Sequence, residues 1–279
     1  MSSLKVAAKA IVKEGVVAAA SRLPHRSDGM RCLLYHSVTV DTRRDPKQMT
    51  VSTDLLTRQL AYLCESGYTV EGADAALARL RDRSPAKTRS VVVTFDDGYG
   101  DNHALALPIL ERFACKATVF IAAEALAGRA KPVYADRYLD ISEAREMVAS
   151  GLVTIGCHGA THRPLRRLSD EELDNETAGA KAWMEDALGI PLTHFAYPFG
   201  SFDSWDRRVR DAVERAGFAA AFTSIVGPNT DRTDPFLLRR SRISWAEEVS
   251  SFGRLLTGGY DWYAGVQWLQ ARRAYDGSR

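Results

Sequence analysis

The strongest constraint on this chain is a rhythm that begins at Arg31, where short β-branched and apolar runs alternate with longer stretches of helical periodicity. Such alternation builds a parallel sheet wrapped by helices, because parallel neighbours need long crossovers and a helix is the compact way to make one. The expected strands are Cys32 to Tyr35, Val91 to Phe95, Ala117 to Ala122, Val153 to Cys157, His194 to Tyr197, Ala219 to Thr223 and Leu238 to Ile243. Helices are expected near Thr53 to Glu65, Ala104 to Phe113, Ile141 to Ala149, Asp170 to Leu188 and Asp206 to Ala216. Ser169 followed by Glu172 offers a capping box at the head of the fourth helix, and Gly189 a left-handed stop at its foot.

With 279 residues the chain can bury one large α/β core. Its 37 basic and 35 acidic residues leave a net charge of +2, so no global field recruits nucleic acid. Cys32, Cys64, Cys115 and Cys157 lack metal-type CxxC spacing and lie in apolar or strand-like runs, and read as buried thiols of a reducing, cytoplasmic setting. Leu4 to Leu23 is rich in Ala and Val, yet Lys13 and Glu14 interrupt it, so it makes neither a convincing signal peptide nor a span. Leu4, Ala7, Ala8, Ile11 and Val12 recur at helical spacing, which suits an amphipathic helix docked on the domain, on a partner or peripherally on a membrane through residues 4–23. The organisation expected is therefore an N-terminal helix and linker at 1–28, a single barrel domain at 29–250 and a helical extension at 251–279. In that extension Tyr260, Trp262, Tyr263 and Trp268 read as aromatics packed on the barrel, with a carbohydrate platform as the sharper alternative.

Two strand ends carry the chemistry. Val91-Val-Val-Thr-Phe-Asp-Asp-Gly98 delivers Asp96 and Asp97 at the C-terminal edge of a buried strand, where parallel α/β folds place their sites. Adjacent residues on an extended backbone point apart, so Gly98 is read as the bend that lets the two acids take different tasks. Val153-Thr-Ile-Gly-Cys-His158-Gly-Ala-Thr-His162 ends another strand with two imidazoles four residues apart. A His pair with one carboxylate suits zinc or a related first-row metal and leaves positions open for water and substrate. Taken singly, each motif also fits turn carboxylates or packing histidines; together they point to one metal site.

These segments resemble the polysaccharide deacetylases of the NodB-homology type, also called carbohydrate esterase family 4. Thr94-Phe-Asp-Asp-Gly98 is similar to the first family motif, which makes Asp96 the catalytic base and Asp97 a metal ligand. His158-Gly-Ala-Thr-His162 is similar to the second, a pair of metal ligands, with Gly159 where the family usually has a hydroxyl residue. Phe195-Ala-Tyr-Pro-Phe-Gly200 matches the third in the form found among biofilm poly-N-acetylglucosamine deacetylases, so the main chain of Phe199 inherits an oxyanion role. The Arg that orients the base in the family falls on Ala196 here, and Arg242 or Arg240 is expected to replace it, with Arg242 preferred. No histidine follows His194, whereas Leu34-Tyr-His36 stands at the end of the first strand. This looks like the circularly permuted order of the biofilm deacetylases and carries the general-acid role to His36. Asp203 and Trp205 are poor matches to the fourth motif.

The resemblance covers residues 31 to 245 and implies an α/β, distorted (β/α)7 barrel. It also implies a divalent metal, zinc with cobalt or nickel as alternatives, and an N-acetylated carbohydrate as substrate. Two other readings compete: a related C–N hydrolase acting on a small amide, such as a deformylase or amidohydrolase, and a non-catalytic carbohydrate-binding barrel. Having both Asp96 and His36 disfavours the last, since binding alone needs neither base nor acid.

Overall fold

The computed structural model describes residues 29–40, 49–82, 89–244 and 248–276. The expected N-terminal helix lies outside them. The central sheet is parallel and has seven strands along its path: β1 (Arg31–Tyr35), β5 (Ser90–Phe95), β6 (Ala117–Ile121), β7 (Val153–Cys157), β8 (His194–Ala196), β9 (Ala220–Phe222) and β10 (Ser241–Arg242). β10 pairs with β1, and just upstream of it Leu238 makes a parallel bridge to Phe222 of β9, so the sheet curls back on itself as the distorted barrel that the resemblance implied. The short β4 (Thr69–Val70) flanks β5, while β2 (Ser37–Thr39) and β3 (Thr50–Ser52) form a separate pair.

Every residue of β1, β5 and β6 is buried, as expected for strands covered on both faces. The cover comes from α1 (Thr53–Glu65), α2 (Ala73–Arg81), α3 (Leu107–Phe113), α4 (Ala123–Leu126), α5 (Ile141–Ala149), α6 (Asp170–Asp174), α7 (Ala180–Leu188) and α8 (Arg207–Arg215), followed by α9 (Val249–Leu256) and α10 (Tyr263–Asp276). None of the described helices is long and apolar enough to cross a membrane. Cys64 is exposed and only the other three cysteines are buried, because Cys64 lies at the edge of the buried face of α1, in the last turn after Leu60 and Leu63, with its thiol against Cys115.

Two helical segments depart from the regular form, and both departures serve the site. The stretch expected as one helix over Asp170 to Leu188 has its capping box at Ser169 and its left-handed stop at Gly189, yet a π turn, Asn175–Gly179, divides it. The extra residue in that turn buries Glu176. A second π turn, Asn102–Ala106, precedes α3 and buries Asn102.

Parallel register aligns the strand ends into one rim. Tyr35 pairs with Phe95, Ile121 with Cys157, Cys157 with Phe195 and Ala196 with Phe222. The residues just beyond these ends, His36, Asp96 and His158, therefore emerge side by side.

Candidate active site

Asp96 still follows the strand, its N–H donating to Tyr35 O at 2.9 Å. Asp97 does not: it turns left-handed at φ 73°, and Gly98 follows at φ 69°, where a Cβ would stand 2.7 Å from Ile121 Cγ2. This double turn gives the two acids separate partners. Asp96 turns to the buried Arg240, which donates to both its carboxylate oxygens, Nη1 to Oδ1 at 2.6 Å and Nη2 to Oδ2 at 2.7 Å. Burial pushes the Asp96 pKa up, but the Arg240 charge, with His158 and further Arg240 hydrogen bonding, outweighs it and holds the group below its ordinary value.

Asp97 faces the two imidazoles, with Oδ1 3.5 Å from His158 Nε2 and 3.2 Å from His162 Nε2. One donor atom from each of the three residues lies within 4.8 Å of the others. Ligand bonds of 2.0–2.2 Å in a tetrahedron separate donors by about 3.4 Å, so the spacing fits a first-row cation. The tautomer fits as well. His158 Nδ1 sits 2.8 Å from Ala196 O, so it carries the hydrogen and leaves Nε2 as a lone pair aimed at a carboxylate oxygen. Two facing acceptors in a buried site need a cation between them. Burial opposes the charge on Asp97, yet the close approach of the His158 and His162 imidazoles brings its pKa well below the usual carboxylate value; burial likewise opposes charge on His162, whose pKa Asp97 nevertheless raises.

The loop that carries the His pair is itself braced. His162 is left-handed at φ 57°, and Gly159 at φ 79° leaves 2.8 Å between a notional Cβ and Glu176 Oε2. The Glu176 carboxylate accepts from the backbone N–H groups of Ala160 and Thr161 at 2.7 and 3.0 Å and from the Thr161 hydroxyl. Gly159 is thus the residue that lets this carboxylate approach, which accounts for the missing hydroxyl side chain at that position.

His36 is buried at the same rim, with Nδ1 lacking a hydrogen-bond partner among the described residues. Burial lowers its pKa against the pull of Asp97 and Asp96. Its carbonyl accepts from Asn102 Nδ2 at 2.8 Å, and Asn102 in turn reaches Asp101 Oδ1 at 2.9 Å, while Ser37 Oγ donates to Asp101 Oδ2 at 2.6 Å. Phe199 is left-handed at φ 64°, 56% exposed, and its ring lies 4.9 Å from that of His162. Ser224 Oγ donates to its carbonyl at 2.7 Å.

Arg242, preferred from the sequence as the guanidinium on Asp96, is not that residue. Its side chain is exposed and reaches Met49 Sδ at 3.8 Å, whereas Arg240 is fully buried. Residues two apart on a regular strand would share a face, but β10 spans only Ser241–Arg242, so Arg240 precedes the strand and is buried against Asp96 while Arg242 stays exposed at the groove. Of the fourth-motif candidates, Asp203 lines the groove, while Trp205 stacks on Tyr197 and is not among the groove residues.

The support to His36 has a measurable cost. Burial raises the Asp101 pKa from 3.8 to about 6, although hydrogen bonds from Ser37, the Val38 N–H and Asn102 oppose it. A carboxyl whose folded pKa is raised contributes stability below its unfolded value and loses it as pH rises through the folded one. Asp101→Asn should therefore gain stability relative to the parent as pH rises from 4 to 8, by roughly 1 to 3 kcal/mol. Urea denaturation at the two ends of that range checks this, and a pH-independent difference would refute it.

Asp96, Asp97, His36, His158, His162, Phe199 and Arg240 all open into one groove of about 1210 Å³. Sequence reasoning missed Glu176 and Asn102, because each needs a π turn to reach the site. It also left open that Tyr260, Trp262 and Tyr263 of the C-terminal segment line the same groove.

Comparison with known proteins agrees with this geometry. Residues 83–221 match the polysaccharide deacetylase family model. YxkH of Bacillus subtilis (strain 168), a protein described as a polysaccharide deacetylase, is 26% identical over 223 residues, 79% of this chain and 74% of its own length. The poly-beta-1,6-N-acetyl-D-glucosamine N-deacetylase of Escherichia coli (strain K12) is 34% identical over 90 residues, which are 32% of this chain and 13% of that protein. The Streptococcus pyogenes deacetylase PplD, solved in complex with acetate, superposes with a TM-score of 0.71 at 21% identity over 82% of this chain and 98% of that one, a likeness of fold.

Proposed function

We infer that this chain belongs to the polysaccharide deacetylase family whose model residues 83–221 match, and that it hydrolyses the N-acetyl group of an amino sugar and releases acetate in a metal-dependent reaction. The sugar would belong to a polysaccharide, an oligosaccharide or a glycolipid. The observation that carries this reading is the gathering of Asp97, His158 and His162 donor atoms within 4.8 Å, beside an Asp96 clamped by Arg240.

A divalent cation held by Asp97, His158 and His162, zinc by the character of the donors with cobalt or nickel as alternatives, supplies a Lewis acid that makes water more acidic and polarises the acetyl carbonyl. Asp96, kept ionised by Arg240, accepts the proton of the attacking water. The Phe199 N–H, set by its left-handed backbone, is assigned to the developing oxyanion. His36 gives a proton to the amide nitrogen as the C–N bond breaks, because without it the nitrogen would have to leave as a strongly basic anion rather than as the neutral amine. The products are acetate and the free amino sugar. His36 directly follows the first strand, which lies between β10 and β5, and this supports the permuted order of the family barrel. A groove of about 1210 Å³ favours a saccharide over the small amide of the competing C–N hydrolase reading.

The acid role has its own test. His36→Ala should retain metal and bind an N-acetylated sugar, yet lose turnover sharply on the amide and much less on an activated aryl acetate, whose leaving group needs little protonation. Parallel assays of acetate release and aryl-ester hydrolysis, with metal content measured, decide it. Equal loss on both substrates would make His36 a support for the site instead.

A further inference from the structure

We propose that the C-terminal segment supplies a saccharide subsite of its own, in which the perpendicular rings of Trp262 and Tyr263 hold a hexosamine unit neighbouring the one whose acetyl group is hydrolysed, one ring against its face and the other against its edge. The inference rests on the deacetylase reading and adds to it a preference for chains over single sugars. Both aromatics line the groove that holds Asp96 and Asp97, and its volume of about 1210 Å³ exceeds the roughly 300–1,000 Å³ that suits a drug-sized ligand. A ligand of several linked units fits that space better than one sugar.

The segment is held firmly enough to act as a wall. Arg31, buried at the start of β1, donates to both oxygens of Asp261 at 2.5 and 2.9 Å. Trp262 Nε1 donates to Gly259 O at 3.1 Å, which fixes the indole beside the groove that Trp262 lines. Farther along α10, Gln267 accepts from the Val226 N–H at 3.0 Å and donates to Ser224 O at 2.8 Å. Ser224 is the residue whose hydroxyl holds the Phe199 carbonyl, so the wall and the proposed oxyanion loop share one support.

The chemistry of the surface selects a sugar. Tyr263 is 38% exposed and meets Trp262 edge to face, with centroids 5.7 Å apart and planes at 89°. An amino sugar presents polarised C–H groups on one face, which match the negative face of an aromatic ring. Gln270 and Lys131, also on the groove, offer donors to its hydroxyls. These aromatics lie outside the span 83–221 that matches the family model.

The test uses β-1,6-linked N-acetylglucosamine oligomers from monomer to pentamer, the linkage acted on by the E. coli relative. In the parent, kcat/KM for acetate release should rise with length. Trp262→Leu combined with Tyr263→Ser should lower the pentamer-to-monomer ratio about tenfold, the size expected for two lost ring contacts. Tyr263→Ser alone, at a partly exposed position that does not threaten folding, should lower it by a smaller factor. A flat length dependence in the parent, or a ratio unchanged in both variants, overturns the subsite. Titration of Asp96→Asn with the pentamer, followed by tryptophan fluorescence, separates this from the catalytic reading. Binding that requires Trp262, in a chain whose parent releases no acetate, would keep the subsite and end the deacetylase assignment; absence of binding would end the subsite.

Discussion

Asp97→Ala should lose metal and acetate release together, whereas Asp96→Asn should keep its metal and lose turnover by about 10² to 10⁴. The asymmetry follows from the double left-handed turn. Asp97 Oδ1 is the carboxylate oxygen that approaches both His158 and His162, so removing it leaves two imidazoles without the third donor. Asp96 stands farther from the pair, with Oδ2 3.9 Å from His158 Nε2, and spends its hydrogen-bonding capacity on Arg240. An amide at position 96 preserves the shape but cannot take a proton from water. It also turns an N–H toward Arg240, so the variant should be less stable, and rates must be compared per metal-loaded, folded molecule. Near-parental turnover in Asp96→Asn with full metal content would remove Asp96 from the base role.

How much of this arrangement could be read from the residues depends on the distance over which each feature is encoded. The strand-end motifs are local, so Asp96, Asp97, His158 and His162 stand out in sequence, and parallel register then brings their strands to one rim. The braces are not local. Glu176 lies within a regular helical pattern and reaches the His loop only through the π turn Asn175–Gly179, which no periodicity marks. Asn102 supports His36 across 66 positions of chain, again from a π turn.

Backbone strain is equally silent. Asp tolerates the left-handed region, so Asp97 beside Gly98 hints at a turn, but nothing in Pro198-Phe199-Gly200 announces that Phe199 takes it too. Non-glycine residues held there cost on the order of 1–3 kcal/mol each, and they persist only where surrounding contacts dictate the geometry. Asp97, His162 and Phe199 share this property, and all three lie at the rim. The family resemblance supplied a role for Phe199; its conformation needed the fold.

Arg240 is the clearest case of a residue chosen by packing, and its removal should have the second large effect. Arg240→Met keeps volume but strands Asp96 in a buried site, and breaking a buried pair from one side costs about 3–5 kcal/mol. Arg240 is held by more than Asp96: Nε donates to Thr223 O at 2.9 Å, Nη1 to Thr94 Oγ1 at 3.1 Å, and the guanidinium lies 5.4 and 5.9 Å from the Phe120 and Phe222 ring centres. A lysine cannot restore the two-pronged contact. The pH dependence carries the sharper signature. In the parent the Asp96 pKa is depressed, so its contribution is present above the unfolded pKa and is lost as pH falls through the folded one. Without Arg240, burial of Asp96 is opposed only by His158 and His36, so its pKa should rise and the variant should instead lose stability as pH rises toward neutrality. Denaturation of the two proteins between pH 4 and 7, with metal removed from both by chelator, should give differences in stability that grow with pH. Arg242→Ala, at an exposed side chain, should stay within about 0.5 kcal/mol of the parent throughout. If instead Arg242→Ala reproduced the growing loss and Arg240→Met did not, the guanidinium that orients Asp96 would have to be reassigned.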